Sequence, residues 1–444
     1  MTALAEGTAL ADSAAAAAPA PTGPAAPTGL VEPAGTAQMG FRSRVRQVIA
    51  DQVAPLVGPA ERDRRFPREA VEAFGAAGLF AQRWAGGGHG DLRRCVTLAE
   101  ELGLAGLGGV GVGLSLHLEA ASGLLVRFAR TPYTRAVRDQ ALAGRAVLCL
   151  ATSEQHAGSD LTAVATQLRP AGDGWSVQGT KWFVSPGSQA DFALILCRAE
   201  EGPAIVVVPR SALVVHKRLE TTGLRSLETV RLTVDAQVPD EAVLVRPGLG
   251  LEAVTWGLIH ERLALAAQVL GGAALAVSLA ATRLRRREQF GVPLFEHQAL
   301  RLRLAELSAQ VTLARHGVYG LAGGLGARRA GRQRPGPQQP DPQQPGGQPE
   351  DGAARDPETS AGPVSMRDVA GAKAVVAKLA QEVTAECAHM FGGTGYLEDE
   401  TPFPRLLRDV RVARLGAGSD EMMWELVATG LNSDDELYDR WVHQ

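Results

Sequence analysis

The 444-residue sequence predicts an α+β protein in which a β-rich segment lies between two helical segments. Hydrophobic residues make up 45% of the chain and charged residues 21%, the usual balance for a globular protein. Apolar residues recur at helical spacing over residues 41–145 and again after residue 251, whereas the stretch between them has a period of two. We therefore predict an N-terminal helical domain at 39–145, a middle β domain at 146–250 and a C-terminal helical domain at 251–444.

Two low-complexity segments do not fit this helical, β and helical pattern. Residues 1–38 are rich in Ala and Pro and contain no Lys or Arg, which argues against a secretory signal or a transit peptide. With no aromatic and few branched residues to offset the entropy of ordering, this tail is predicted to be disordered. In residues 327–364 a proline recurs every few positions, which excludes a helix or a central strand. We predict that 327–364 is an inserted surface loop of the C-terminal domain.

The middle segment carries the strand signals. Residues 229–234 read T-V-R-L-T-V and alternate as a half-buried strand does. The continuous apolar runs 193–196 and 204–208 predict fully buried strands, and Asp173-Gly174 between strand-like runs predicts a hairpin. In the first helical segment, residues 63–67 mark a break before the next helix. The following G-x-G-x-x-G match at 106–111 has a helix before it and no strand, so we interpret it as a turn between helices.

Composition also limits the partners. The formal net charge of -3 argues against a nucleic-acid partner, because nucleic-acid-binding proteins carry a surplus of basic residues. The four cysteines are far apart, which disfavours a metal or disulfide framework and favours a reducing, cytoplasmic location. The uncharged run 263–281 is about as long as a membrane span, but it is rich in Ala and Gly and contains Gln268. We predict a buried core helix there and no membrane association.

Glu261 is the strongest candidate for chemistry from the residues alone. It lies in the segment 258–265, L-I-H-E-R-L-A-L, which leads into the uncharged helix. Apolar surroundings favour the protonated carboxyl and raise its pKa, which suits a general base. The alternative is a structural ion pair, although the adjacent Arg262 does not face Glu261 on a helix. Both interpretations remain open at this point.

Five further segments are each ambiguous when considered alone. Residues 152–160, T-S-E-Q-H-A-G-S-D, offer hydroxyl and backbone N–H groups that suit a phosphate or a flavin edge, or form an ordinary polar loop. On a strand, Phe183 and Ser185 share one face, which allows stacking and hydrogen bonding to a planar ring system, or simple core packing. Arg287 suits a phosphate contact or the end of a helix. The glycine-rich segments 391–396 and 415–421 allow close approach to a ligand or a turn.

Taken together, the order and spacing of these motifs resemble the acyl-CoA dehydrogenase family over about residues 41–431. The segment 153–160 is similar to the family's T-E-x-x-A-G-S-D stretch, 181–185 to K-x-W-I-T, 287–298 to R-x-x-F-G…Q, and 389–393 to Q-x-x-G-G. The resemblance implies a fold with an N-terminal α-helical domain, a middle β-barrel or sandwich domain and a C-terminal four-helix bundle. It also implies FAD as the cofactor and an acyl thioester as the substrate.

The resemblance carries over to individual residues. Phe183 is expected to stack on the flavin and Ser185 to bond near its N5 atom, while the 287–298 and 389–393 segments reach the FAD of a neighbouring subunit. A homodimer or homotetramer is therefore implied. The residues expected to bind FAD are Thr152, Ser153, Gly158, Ser159, Phe183, Ser185, Arg287, Gln289, Phe290, Gln298, His389, Gly392, Gly393, Ser419 and Glu421. Those expected to contact the substrate are Ser159, Arg262 and Ala417.

The position of the base divides the family. Many members carry it just before the late G-T motif, where this sequence has Ala417, which takes no proton. Isovaleryl-CoA and long-chain acyl-CoA dehydrogenases carry it before the Arg of the earlier helix, where this sequence has Glu261-Arg262. The resemblance thus implies that Glu261 abstracts the α-proton while hydride passes to flavin N5, with the Ala417 N–H as a donor to the thioester carbonyl.

The resemblance leaves the substrate carrier and the electron acceptor open. An acyl-CoA is the first expectation, with an electron-transfer flavoprotein or a similar protein as the acceptor. A thioester on a carrier protein of secondary metabolism is an alternative, because His156, Pro186 and His389 depart from the family pattern at flavin contacts. A second alternative is a flavin monooxygenase, such as an N-hydroxylase, on the same fold. Glu261 counts against the monooxygenase, since that reaction needs no carboxylate base.

Overall fold

The computed structural model describes residues 36–327 and 366–442. Most of the predicted tail 1–38 and of the predicted insertion 327–364 lies outside the described residues. The first described helix begins at Thr36 and the helix before the predicted insertion ends at Ala327, so helical backbone reaches slightly into both predicted segments. The domain boundaries inferred from the sequence stay predictions.

The first part of the chain is entirely helical, as predicted. Arg64 adopts a left-handed conformation that ends one helix at Asp63, within the predicted break at 63–67. The first half of the glycine-rich match 106–111 lies in the turn between two helices, and its second half begins the next helix at Gly109, so no strand precedes it. The helices are α1 (Thr36–Val48), α2 (Ala54–Asp63), α3 (Glu69–Ala76), α4 (Leu79–Arg83), α5 (Leu92–Leu104), α6 (Gly109–Ser115), α7 (Gly123–Phe128) and α8 (Pro132–Leu142), with π-helical turns at Ile49–Val53 and Leu116–Ser122.

The middle of the chain folds into an eight-stranded sheet. Its strands are β1 (Leu148–Ala151), β2 (Gln167–Ala171), β3 (Gly174–Val184), β4 (Phe192–Ala199), β5 (Gly202–Pro209), β6 (Leu213–Arg218), β7 (Val230–Pro239) and β8 (Val243–Val245). Seven of them follow the order β6-β7-β3-β2-β4-β5-β8, and β1 pairs with β4. Ladders are antiparallel except where β4 meets β1 and β2.

Both faces of the central strands are buried, which explains the continuous apolar runs in the sequence. Ile195 and Val206 pack among side chains of the other strands. Their neighbours Leu194 and Val207 point to the opposite face and pack against residues of α7, α8 and the long helix that follows the sheet. The predicted hairpin is also present, but its two loop residues are Gly172 and Asp173, because Ala171 pairs with Gly174. The loop is thus one residue earlier than predicted, and the left-handed φ of +62° falls on Gly172.

The last part of the chain is helical again. Its elements are α9 (Gly250–Arg286), the short strands β9 (Glu288–Gln289) and β10 (Val292–Pro293), α10 (Gln298–Ala327), α11 (Met366–Met390), α12 (Phe403–Asp409), α13 (Asp420–Ala428) and α14 (Asp435–Val442). Helix α9 contains the uncharged run and packs against α5, α10 and α11 in one hydrophobic core.

Two described helical stretches, Gly109–Phe128 and Gly250–Arg286, are long and apolar enough to cross a membrane. However, 83% and 61% of their most apolar windows are buried within the protein. Burial of this kind is typical of core helices, which is the interpretation that the sequence favoured for 263–281.

Two glycines set the close crossing of α5 and α9. A Cβ atom on Gly103 would lie 1.9 Å from the carbonyl oxygen of Gln268, and one on Gly271 would lie 2.2 Å from that of Glu100. The helix backbones therefore touch where no side chain fits. This contact fixes α9 against the N-terminal helices and places its middle, with Glu261, beside the loop before α13.

Candidate active site

The centre of the candidate site joins helix α9 to the loop 415–419. Arg262 is buried, and its Nε donates a hydrogen bond to the carbonyl oxygen of Ala417 at 2.8 Å. Ala417 has a left-handed φ of 56°, so the loop turns sharply at this residue. The predicted substrate residues Arg262 and Ala417 are therefore brought together, next to the predicted base Glu261.

The carboxyl group of Glu261 is half-buried and accepts no hydrogen bond from the described residues. Loss of water raises the pKa of Glu261 to about 7, against the positive charges of Arg262 and Lys373, which lower it. Within the described part of the chain Glu261 forms no ion pair closer than 4 Å, which disfavours the structural ion pair. The raised pKa expected from the sequence is present, and the assignment of Glu261 as the base stays a prediction.

Lys373 was missed by sequence reasoning. It is fully buried in α11, and its Nζ donates to the carbonyl oxygen of Gly418 at 2.6 Å. Burial lowers the pKa of Lys373 to about 8, while the charges of Asp420 and Glu261 oppose that shift. A signal was available, because Lys373 is the single charge in the small apolar stretch 369–377. However, the role of Lys373 depends on its contact with Gly418, which lies 45 residues further along the chain.

The predicted flavin-binding segment 152–160 is hydrogen-bonded to β3. The N–H of Trp182 donates to the carbonyl oxygen of Ser153 at 2.9 Å, and Lys181 Nζ donates to that of Thr152 at 3.1 Å. Lys181 also forms an ion pair with Glu154 at 2.7 Å, and its side chain is fully buried. The half-buried hydroxyls of Thr152 and Ser153 are thus held beside Phe183, whereas Gly158 and Ser159 lie further out and are exposed.

The prediction that Phe183 and Ser185 share one face of a strand is wrong. Phe183 has a φ of 56°, and the pairing with β7 is irregular between Lys181 and Val184, so the alternation breaks there. The ring of Phe183 is turned outward and is 66% exposed. Ser185 lies beyond the end of β3, where it is buried and its Oγ is 2.8 Å from Thr229 Oγ1.

The other predicted cofactor residues gather at the far end of α9 and α11. The β9–β10 hairpin and the start of α10 expose Arg287, Gln289, Phe290 and Gln298, and Phe290 is 95% exposed. His389, Gly392 and Gly393 are exposed at the end of α11. The two groups are neighbours, since Arg283 Nη2 donates to Thr394 Oγ1 at 3.3 Å. Within the described residues, no hydrogen bond, ion pair or ring contact joins them to the 152–185 segments.

Ser419 and Glu421 begin α13. Ser419 is the residue before the helix, and Glu421 is exposed in its first turn. Hydrogen bonds from its own N–H and from Ser419 hold the pKa of Glu421 below its usual value. Both residues therefore follow directly on the loop that contacts Arg262.

The chemistry of these groups fits FAD. Phe183 offers an exposed aromatic ring, and Thr152 and Ser153 carry hydroxyls on the half-buried segment that is hydrogen-bonded to the neighbouring Lys181 and Trp182. A Cβ atom on Gly158 would have no atom within 4 Å, so a ligand has room there. Arg287 and Gln289 are exposed polar groups that suit a pyrophosphate. The roles of these individual residues stay predictions.

Comparison with known families gives matches along nearly all of the described chain. The acyl-CoA dehydrogenase N-terminal domain model matches residues 36–144, the middle domain model 149–236, and the C-terminal domain model 248–335 and 353–432. These three matches follow the helical, β and helical parts of the structure in order.

Individual proteins are similar over most of their length. An acyl-[acyl-carrier-protein] dehydrogenase MbtN of Mycobacterium sp. (strain MCS) is 38% identical over 404 residues, 89% of this chain and 94% of the relative. The mitochondrial isovaleryl-CoA dehydrogenase of Oryza sativa subsp. japonica is 25% identical over 412 residues, 90% of this chain and 92% of the relative. The butyryl-CoA dehydrogenase structure from Megasphaera elsdenii has a TM-score of 0.76 at 22% identity, covering 90% of this chain and 99% of its own, and shows the same fold.

Proposed function

Because this chain belongs to the acyl-CoA dehydrogenase family, we propose that it removes hydrogen across the α and β carbons of an acyl group held as a thioester on a carrier protein. The chain is an FAD-dependent oxidoreductase of the CH–CH type, as its family is. The carrier protein is supported by the 38% identity to relatives described as acyl-carrier-protein dehydrogenases, against 25% for an isovaleryl-CoA dehydrogenase. Acyl-CoA is the substrate expected first from the sequence, and it serves as the substrate for comparison in the experiment described below.

The observation that carries the chemistry is the state of Glu261. No described residue donates a hydrogen bond to this half-buried carboxyl, so its lone pairs are available, and its pKa is raised to about 7, which suits proton exchange near neutral pH. Those are the requirements for a base that takes a weakly acidic α-proton. Ala417, at the alternative position of the base, has no ionisable group.

The surrounding residues position the thioester. Arg262 holds the Ala417 carbonyl inside the protein, so the loop keeps one shape while the substrate is bound. We infer that a backbone N–H of this loop donates to the thioester oxygen, where negative charge grows as the proton leaves. Thr152, Ser153, Phe183 and the 287–298 segment would hold FAD, which accepts the hydride when bound.

We also propose a cytoplasmic homo-oligomer, a dimer or tetramer, that passes electrons to an electron-transfer flavoprotein or a similar acceptor. Support comes from the two separate groups of predicted FAD residues, at 152–185 and at 287–298 with 389–393, which no hydrogen bond, ion pair or ring contact joins within the described residues. Phe290 is almost fully exposed, as expected for a residue that reaches a neighbouring subunit. All four cysteines are buried free thiols, which suits a reducing compartment. Light scattering on the FAD-loaded protein tests the oligomer, and a monomer would contradict it.

The decisive experiment is anaerobic reduction of the bound flavin by matched substrates. The same acyl chains are presented on an acyl carrier protein, on CoA and on free pantetheine, and bleaching of the flavin is followed by stopped flow. We expect the carrier-bound thioester to reduce the flavin fastest. Faster reduction by CoA thioesters would reject the carrier protein as the partner. No reduction by any thioester, together with oxygen consumption in the presence of a flavin reductase and an amine, would reject the dehydrogenase in favour of a monooxygenase.

A further inference from the structure

We propose that Lys373 is a positioning residue of this active site, which holds the loop 415–419 through the Gly418 carbonyl and contributes a positive charge that acts on Glu261. This inference rests on the proposed function only in assigning the proton transfer to Glu261. Lys373 itself is defined by its contacts. It reaches the loop from α11, a helix that carries none of the predicted substrate residues.

The loop is held at three points, and Lys373 supplies one of them. Arg262 Nε binds the Ala417 carbonyl at 2.8 Å, and Lys373 Nζ binds the next carbonyl, that of Gly418, at 2.6 Å. At its base, Arg414 Nε binds Asp420 Oδ2 at 2.5 Å. Two successive carbonyls thus point into the protein towards two cations. In a trans peptide the C=O and N–H groups point in opposite directions, so the N–H groups of Gly418 and Ser419 are turned away from these cations.

The backbone at Ala417 and Gly418 has an unusual conformation that these hydrogen bonds stabilise. Ala417 has a φ of 56°, a conformation that costs energy for a residue with a Cβ, and Gly418 follows with a φ of 102°. A Cβ atom on Gly418 would lie 2.7 Å from Met423 Cε and 3.4 Å from Arg262 Nη2, so the loop is packed tightly against its supports. Among the described residues Lys373 is the donor to the carbonyl of the half-buried Gly418, so removal of the lysine side chain would leave that carbonyl without this hydrogen bond.

Lys373 also acts on Glu261 through its charge. The charged groups around Glu261 are Arg262 from its own helix and Lys373 from α11, and both favour the ionised carboxylate. Lys373 in turn faces Asp420 and Arg414 at the ends of the loop, as well as Glu261 and Arg262 on α9. Because Lys373 is fully buried, little water screens its interaction with Glu261. Removal of this charge should therefore raise the pKa of Glu261.

The test compares Lys373→Gln and Lys373→Met with wild type, using Lys378→Gln as the matched control. Lys378 is an exposed lysine on the same helix, so the control removes the same charge from the protein. Glutamine keeps a donor for the Gly418 carbonyl and loses the charge, whereas methionine loses both. Ionisation of Glu261 is followed by infrared difference spectroscopy on the FAD-loaded protein, with the carboxyl band identified by its absence in Glu261→Gln. The rate of flavin reduction and the flavin content are measured in parallel.

We expect the midpoint of the Glu261 titration to rise by about one pH unit or more in both Lys373 variants and to stay unchanged in Lys378→Gln. The maximal rate of flavin reduction at high pH should fall further in Lys373→Met than in Lys373→Gln, since only methionine releases the loop. If Lys373→Met fails to bind flavin, Lys373→Gln still decides the role of the charge. An unchanged Glu261 midpoint in Lys373→Gln overturns the proposal.

The infrared titration needs no substrate, so the two proposals fail separately. A wild-type flavin that no thioester bleaches, together with a shifted Glu261 midpoint in Lys373→Gln, would reject the dehydrogenation and retain the electrostatic role of Lys373. Normal bleaching of the wild-type flavin, together with an unshifted Glu261 midpoint in Lys373→Gln, would retain the dehydrogenation and reject the electrostatic role of Lys373.

Discussion

Glu100 and Glu261 are two carboxylates in contact with the same core, but their surroundings differ. Glu100 on α5 receives hydrogen bonds from Arg315 Nε at 2.6 Å, from Arg42 Nη1 at 3.0 Å and from the Tyr319 hydroxyl at 2.6 Å. Burial acts to raise its pKa, but these donors and charges hold the pKa of Glu100 below its usual value. Glu261 on α9 has two cations nearby and no hydrogen-bond donor in the part of the chain that the structure describes, and desolvation raises its pKa to about 7.

The difference shows how a protein separates structural carboxylates from reactive ones. Hydrogen bonds to the ionised form occupy the lone pairs of Glu100 and keep it charged, so it links α5 to α1 and α10. The cations near Glu261 instead donate to the carbonyls of the loop 415–419. Their charge acts on Glu261 while its lone pairs remain available. Burial alone therefore does not distinguish the two carboxylates, which differ in the hydrogen-bond donors that reach them among the described residues.

The largest effect is expected from Glu261→Gln, which keeps the shape of the side chain and removes the base. We expect flavin reduction by substrate to fall about 10²- to 10⁴-fold, the usual contribution of a general base. The flavin content should be unchanged. The melting temperature at pH 8 should equal or exceed that of wild type, because the variant no longer ionises a desolvated group. Stopped-flow reduction and thermal unfolding measure the two quantities, and undiminished bleaching would remove Glu261 from the mechanism.

Glu100→Gln should have the opposite pattern. It leaves Arg315 buried without its carboxylate and leaves Arg42 paired with Glu101 but not with Glu100, which costs about 3–5 kcal/mol of unfolding free energy. Glu382→Gln is the matched control, since it breaks an exposed ion pair with Arg303 and should cost about 0–1 kcal/mol. Denaturant unfolding gives both values. Equal losses in the two variants would show that the Glu100 network does not stabilise the protein.

Tyr319→Phe tests a single hydroxyl of that network, which donates to Glu100 and accepts a hydrogen bond from Arg42 Nη2. The variant removes the hydroxyl that donates to Glu100 Oε2 at 2.6 Å and leaves both arginines in place. A hydrogen bond to a charged group contributes about 1.5–3 kcal/mol, so the loss of unfolding free energy should be smaller than in Glu100→Gln. The rate of flavin reduction should not change. A reduced rate would mean that the two carboxylate sites are coupled through α5 and α9.

The pH dependence separates the two carboxylates without mutation. The pKa of Glu261 is raised to about 7, so the rate of flavin reduction should fall roughly tenfold per pH unit below that value. The pKa of Glu100 is lowered, so its stabilising effect is present above the pKa of an unfolded glutamate and is lost only as pH falls through the lower, folded value. Activity should therefore disappear between pH 7 and 5 while the melting temperature holds. A parallel loss of both would contradict this separation.

Several features of the fold were predictable because they depend on local pattern. The helical stretch before residue 145, the alternating strand at 229–234 and the core helix around 263–281 follow from the spacing of apolar residues. The prediction from strand alternation was wrong where the backbone adopts an unusual conformation. Phe183 has a left-handed φ and is exposed, so the strand alternation that linked it to Ser185 does not hold. The hairpin loop was placed one residue late, because register depends on the pairing of β2 with β3.

The sequence by itself determined the order of helices, strands and helices, and it singled out Glu261 as a charge in apolar surroundings. It did so because periodicity and local composition act over a few residues. Only the tertiary structure decided what surrounds that charge. Arg262 meets the Ala417 carbonyl across 155 residues of sequence, and Lys373 reaches the same loop from another helix. The close crossing of α5 and α9, at Gly103 and Gly271, helps to bring these groups together, and no local pattern contains such a contact.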